Sequence, residues 1–222
     1  VSLAERDGVV SRPTVRVLDD AETVATAAAM MIAGHVAGSE RPVIGLATGR
    51  TPLAIYARLV AAARDGRVDF SRTTSFNLDE YRGLDPEHPA SFAAYMRRNL
   101  FDHVAMGATH MPAGLGNAEA EASAYEAAIA RAGGIGLQLL GIGRNGHIAF
   151  NEPGARFDSR TRVVRLAEET RAANAPDFPE GEPVPGEAIT MGIGTILEAR
   201  RILLVATGGA KRAALARAVA GP

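Results

Sequence analysis

Cysteine is absent from the 222 residues. That excludes a disulfide framework and any thiolate metal site, and it fits a reducing compartment. A run of the roughly 18 apolar residues that a membrane-crossing helix needs is also missing. The first residues, VSLAERDGVV, lack the basic stretch and apolar core of a secretory leader. The expected compartment is therefore the cytoplasm. Nor does charge of one sign dominate: 24 Lys and Arg stand against 25 Asp and Glu, a net charge of −1. No block of Arg and Lys is interleaved with aromatics. Neither nucleic acid nor an anionic membrane is thus expected as the main partner. What remains is an ordinary globular composition, 47% hydrophobic and 22% charged, in a chain long enough to bury a core unaided. Residues 1–222 are read as one domain. The chain stops at AVAGP just after a helical pattern, and is read as a piece of a longer one.

Along the chain, strand-like and helix-like segments alternate. Residues 14–18 (TVRVL) form a β-branched run, and Asp19-Asp20 supply a helix cap and acidic first turn for residues 21–37. A buried strand is predicted at 41–46, a helix at 53–63, and a strand at 73–78 ending in Asp79-Glu80-Tyr81. Helices follow at 91–101 and 119–131, an apolar strand at 136–141, a strand at 161–166, a last buried strand at 202–206 and a helix at 210–220. Residues 175–186 (APDFPEGEPVPG) hold four prolines and read as a mobile loop or lid. Strand, glycine turn and helix recur. The expected fold is α/β, a Rossmann-like three-layer arrangement with a mostly parallel central sheet.

The polar clusters follow strands, and ligands of open α/β sheets bind at the carboxyl ends of strands. In GLATGRTP, residues 45–52, a glycine turn precedes a helix. Backbone N–H groups there can approach an anion, with hydroxyls from Thr48 and Thr51 beside Gly49 and Arg50. The other reading is a plain strand-to-helix turn. TGGAK, residues 207–211, is a second such turn, with Lys211 either facing an anion or solvated on the surface. Asp79 and Glu80 are neighbours in extended chain, so only one of them enters a given cavity; a solvated turn is the alternative. The densest cluster is GRNGHIAFNEPG, residues 143–154. Its His147 suits proton shuttling near neutral pH, with Asn145 and Glu152 near enough to orient it. A structural loop histidine is the alternative. One His with one Glu is a poor ligand set for metal.

Taken together, GLATGRTPLAIY, FNLDEYRGL with EHPASF, LGIGRNGHIAFNEPG, SRTRVV, AITMGIGTIL and GGAK resemble the glucosamine-6-phosphate deaminase (isomerase) family, in its order and over nearly the whole chain. The resemblance implies conversion of glucosamine 6-phosphate, a small-molecule sugar phosphate, to fructose 6-phosphate and ammonia, in amino-sugar catabolism. It implies no metal or organic cofactor. It implies that Asp79 is the enolisation base, that His147 opens the pyranose ring, and that Asn145 and Glu152 orient and tune His147. Family members range from monomers to hexamers, so a homo-oligomer is compatible with it.

Three departures stand out. Some members carry Asp at Asn145. Many carry an Arg where this chain has Pro176-Asp177, and an acid beside a phosphate is repulsive, so either Asp177 is expected to point away or residues 175–186 to take another path. Some relatives have Gly at Arg50, which is expected to take over part of the missing Arg's task. Arg162 matches a basic residue of the allosteric site of regulated members and Val164 does not, so allosteric control is not expected. The rival readings are a 6-phosphogluconolactonase, a deaminase for another amino-sugar phosphate, and a non-catalytic sugar-phosphate sensor. The last needs a DNA-binding module, and none fits in the chain.

Overall fold

The computed structural model describes residues 13–220; the leader reading and the last two residues lie outside that range. A five-stranded parallel sheet forms the centre, in the order β4-β2-β1-β5-β8. Its strands are β1 (Val43–Leu46), β2 (Thr74–Asn77), β4 (Ala108–His110), β5 (Leu137–Leu140) and β8 (Ile202–Leu204). The order reverses between β1 and β5, the switch point at which such sheets bind ligands. A second, antiparallel sheet has the order β3-β7-β6, from β3 (Asp79–Tyr81), β7 (Glu187–Thr190) and β6 (Arg162–Arg165).

Local chemistry explains the helices. Helix α1 (Ala21–Ala37) starts where the Asp20 carboxylate accepts from the Thr23 amide at 2.7 Å. Its buried residues, Ala25, Ala28, Ala29, Ile32 and Val36, repeat at helical spacing. Helix α2 (Arg50–Arg64) buries Ile55, Tyr56, Leu59 and Val60. Helix α3 (Phe92–Asn99) is capped by Ser91, and α4 (Ala118–Arg131) by Asn117. Three short helices complete the set: α5 (Glu168–Asn174), α6 (Ile193–Leu197) and α7 (Arg212–Ala220).

Two apolar clusters result. The larger, with Phe76, Leu46, Tyr56 and Leu139, fills the space around the parallel sheet. The smaller, with Tyr81, Phe150, Phe178 and Val184, backs the antiparallel one. Leu78 is the single residue between β2 and β3, and so between the two sheets. Its amide donates to Leu46 O of the large sheet, and its carbonyl accepts from the Met191 amide beyond β7.

Several sequence expectations are corrected. Residues 14–18 form no strand, and 14–17 are exposed, Val17 to 90%, because no neighbouring strand pairs with them among the described residues. Asp79-Glu80-Tyr81 does not end the preceding strand but forms one of its own in the second sheet, made by pairing with β7. The last strand is an edge rather than a buried strand: Ile202 is 42% and Leu204 38% exposed, since only β5 pairs with it. Residues 175–186 are pinned by buried Phe178 and Val184. The elements β4, α5, β7 and α6 had no sequence expectation.

Candidate active site

The carboxyl ends of the central strands open into a cavity of about 260 Å³. One wall is the β1–α2 turn. Gly49 caps α2 with φ 110°, a left-handed conformation that glycine adopts without strain. No side chain caps this helix end and no acid occupies its first turn. Its amides and positive dipole end are thus available to an anion. Thr48, Gly49, Arg50 and Thr51 all line the cavity.

Lys211 comes from the second glycine turn and joins the same wall. It closes a 3-10 turn, Gly209–Lys211, ahead of α7 rather than starting the α-helix itself. Its Nζ donates to Ile142 O at 2.5 Å. Burial and the charge of Arg144 hold its pKa below the usual lysine value. The Thr51 and Thr207 hydroxyls lie 3.4 Å apart, so the two turns meet.

Asp79 and Glu80 are both buried, which removes the solvated-turn reading. They part company as adjacent strand residues must. Asp79 faces the cavity. Glu80 turns away and accepts from the amides of Tyr81 at 2.8 Å, Phe92 at 3.0 Å and Ala93 at 2.8 Å, capping α3. Asp79 is 6% exposed. Burial, then the charge of Glu80, push its pKa up to about 8, against the pull of the Phe150 amide. A carboxyl poised near neutral pH suits general-base work.

His147 follows β5 on a tight loop. The Gly143 amide donates to His147 O at 2.8 Å. A Cβ on Gly143 would stand 2.4 Å from the imidazole, so only glycine permits this ring position. Burial pushes the His147 pKa down, Glu152 partly restores it and Lys211 lowers it further. The ring is therefore neutral near pH 7, ready to accept a proton.

The expected orienting set is present, but it is wired through Asn145. Asn145 Oδ1 accepts from the His147 amide at 3.1 Å, and Asn145 Nδ2 donates to Glu152 Oε2 at 2.7 Å. Glu152 Oε2 itself stands 4.0 Å from His147 Nδ1, too far for a hydrogen bond. Its influence on the ring is the charge, not a direct bond. Thr170 on α5, which the sequence did not single out, fixes the other Glu152 oxygen at 2.7 Å.

The next residues form a two-residue turn between Ile148 and Asn151. Ala149 there has φ 53°, the one left-handed non-glycine among the described residues. Such strain persists where the surroundings fix the backbone. Here Phe150 is buried and its amide lies near Asp79 and Thr190 Oγ1.

Other lining residues were not singled out in the sequence: Tyr81, Phe92 and Asn174. The signal for Tyr81 was available, since residues two apart on a strand share a face. Asp177 lines the cavity from the 3-10 turn Ala175–Asp177. The other histidines stand elsewhere. His88 pairs with Glu182, and His110, on β4 rather than a helix or loop, stacks on Phe76.

A strand-end cavity with an anion-type turn, a buried carboxyl and a neutral imidazole defines a site for acid–base chemistry on a small anionic molecule. The sequence profile of the glucosamine-6-phosphate isomerases/6-phosphogluconolactonase family matches residues 19–222, and the chain belongs to that family. It is 52% identical to a glucosamine-6-phosphate deaminase of Rhodopirellula baltica, over 94% of this chain and 84% of the relative. It is 47% identical to that of Hahella chejuensis, over 94% and 80%. Among solved structures, a monomeric glucosamine-6-phosphate deaminase superposes with a TM-score of 0.88 at 41% identity, covering 92% of this chain and 86% of that one. A 6-phosphogluconolactonase from Trypanosoma cruzi shares the fold, with a TM-score of 0.72 at 22% identity over 95% and 86%.

Proposed function

We propose that this chain is an enzyme of amino-sugar catabolism that converts glucosamine 6-phosphate and water to fructose 6-phosphate and ammonia. The observation that carries this reading is the convergence of Asp79, His147, Lys211 and the α2 turn on one cavity. The 6-phosphate sits at the α2 amides with Thr48, Thr51, Arg50 and Lys211. Arg50 lies exposed on the rim, and its planar fork can meet two phosphate oxygens at once.

His147 takes the O1 proton and returns one to the ring oxygen, which opens the pyranose and leaves an aldehyde at C1. Asp79 then removes the proton from C2, now acidified by the C1 carbonyl. The enolamine is protonated at C1, which leaves an iminium at C2. Water adds to C2 and ammonia departs, giving the ketone. Asn145, Glu152 and Thr170 hold the loop that carries His147. Each positioned acid or base contributes about 10²–10⁴-fold.

A phosphorylated sugar as substrate supports the cytoplasm as the proposed compartment. Among the described residues, no helix is long and apolar enough to cross a membrane.

A coupled assay for ammonia with glucosamine 6-phosphate tests the proposal, run beside 6-phosphogluconolactone hydrolysis and a panel of other amino-sugar phosphates. Rapid ammonia release from glucosamine 6-phosphate is expected. Lactone hydrolysis without ammonia release would overturn it.

A further inference from the structure

Whether the β1–α2 turn can hold an anion depends on how two of its peptide units are rotated. Each is gripped from behind by a tyrosine. Tyr56, buried on α2, donates its hydroxyl to Ala47 O at 2.5 Å. Tyr95, half-buried on α3, donates to Gly49 O at 2.6 Å. Neither tyrosine lines the cavity, whereas Ala47, Thr48, Gly49 and Arg50 all do. The two carbonyls therefore point out of the cavity, toward the rings behind the turn. No peptide bond among the described residues is cis, and in a trans peptide the N–H runs antiparallel to the C=O. The Thr48 and Arg50 amides thus point the other way, to the cavity side.

Gly49, with φ 110°, sits between the two units. Glycine leaves the backbone freer there than any other residue would, so the hold has to come from outside the turn. We propose that Tyr95 is a positioning residue for the substrate's phosphate: its hydroxyl fixes the Gly49–Arg50 peptide so that the Arg50 amide donates into the cavity. The inference rests on the function proposed above and deepens it, by adding to the phosphate grip a residue that does not touch the ligand.

The chemistry of the hold suits the task. A hydroxyl has one proton to give, and Tyr95 spends it on Gly49 O. A carbonyl that accepts a hydrogen bond polarises its own peptide unit, so the Arg50 amide becomes a better donor. Burial raises the Tyr95 pKa above the usual tyrosine value, which keeps that proton in place. The helix that carries Tyr95 is itself anchored. Glu80 accepts from the Phe92 and Ala93 amides, and Ser91 Oγ from the Ala94 amide. Glu80 adjoins Asp79 on β3. The phosphate turn is thereby tied, through Tyr95, α3 and Glu80, to the strand that bears the proposed base.

The test is Tyr95→Phe in the full chain, which removes one hydroxyl and keeps the ring. Glucitol 6-phosphate is an open-chain sugar phosphate without the carbonyl that turnover needs. By calorimetry it should bind the variant about fivefold more weakly than wild type, the worth of one neutral hydrogen bond. KM for glucosamine 6-phosphate should rise by the same factor with kcat nearly unchanged, the pattern of lost uniform binding. In isotopically labelled protein, inorganic phosphate should move the Arg50 amide resonance in wild type and much less in the variant. The Thr48 amide, held by Tyr56, should respond in both. Unchanged affinity for glucitol 6-phosphate in the variant, a fall in kcat with KM unchanged, or equal loss of the Thr48 and Arg50 responses would overturn the inference. Failure of the proposed reaction is separately visible, as wild-type protein that binds glucitol 6-phosphate and releases no ammonia from glucosamine 6-phosphate.

Discussion

Asp79→Asn is expected to cripple the enzyme and stabilise the protein, and pH separates the two effects. The carboxyl rises from 3.8 to about 8 on folding, driven first by burial. Below about pH 4 both folded and unfolded chains hold the proton, so the shift costs nothing. Between about pH 4 and 8 the folded chain keeps a proton that the unfolded chain has lost. Stability then falls as pH rises, by up to about 1.4 kcal/mol per unit. Above pH 8 the whole cost applies. Its ceiling is about 5.6 kcal/mol, four units at that slope, and relaxation around the charge brings a realistic value to roughly half of this. Asparagine has the same shape and no titration. The variant should match wild type near pH 4 and exceed it by about 2–3 kcal/mol at pH 9, or roughly 5–10 °C in melting temperature for a chain of this size. Groups that titrate in both proteins cancel in the difference. Urea or thermal melts at pH 4, 7 and 9 measure it, while exchange of the C2 proton with solvent should be abolished although sugar binding persists. A stability difference independent of pH would refute the buried-carboxyl reasoning. Native proton exchange in the variant would remove Asp79 from the mechanism.

His147→Gln should lower turnover of the cyclic sugar by about 10²–10⁴-fold while leaving affinity for an open-chain analogue nearly unchanged; equal loss of both would indicate a structural loop residue. Arg50→Ala should raise KM for the phosphorylated substrate about tenfold, with little effect on a non-phosphorylated analogue, as steady-state kinetics on the pair would show. Glu80→Ala leaves two amides at the start of α3 and that of Tyr81 on β3 without their acceptor, so denaturant unfolding should report a loss of about 2–4 kcal/mol; a variant as stable as wild type would mean that those amides find water instead.

The strand–turn–helix units were legible because their signals are local. Asp20 caps α1 from the adjoining position, and glycine turns mark the ends of β1 and β5 in the sequence itself. The antiparallel sheet was not legible. Its register, Asp79 opposite Thr190 and Arg162 opposite the same residue, joins segments far apart in the chain. A dipeptide of two acids reads as solvated, and only that pairing buries it. The same holds for the ends of the sheet. ILLVA looks like a core strand, yet its position at the edge decides its exposure. At the site, His147, Asn145 and Glu152 were found together because they are close in sequence. Thr170 and Asn174 act across the fold, and nothing local distinguishes them from any helix polar residue.

Leu78 gives the molecule a seam one residue wide. The anion-type turns follow strands of the large sheet, while Asp79 lies on a strand of the small one. The proposed phosphate grip and the proposed base are thus joined by one peptide step, anchored on one side to Leu46 and on the other to Met191. A side chain of another size at position 78 would move the base relative to the turn that holds its substrate, without touching either.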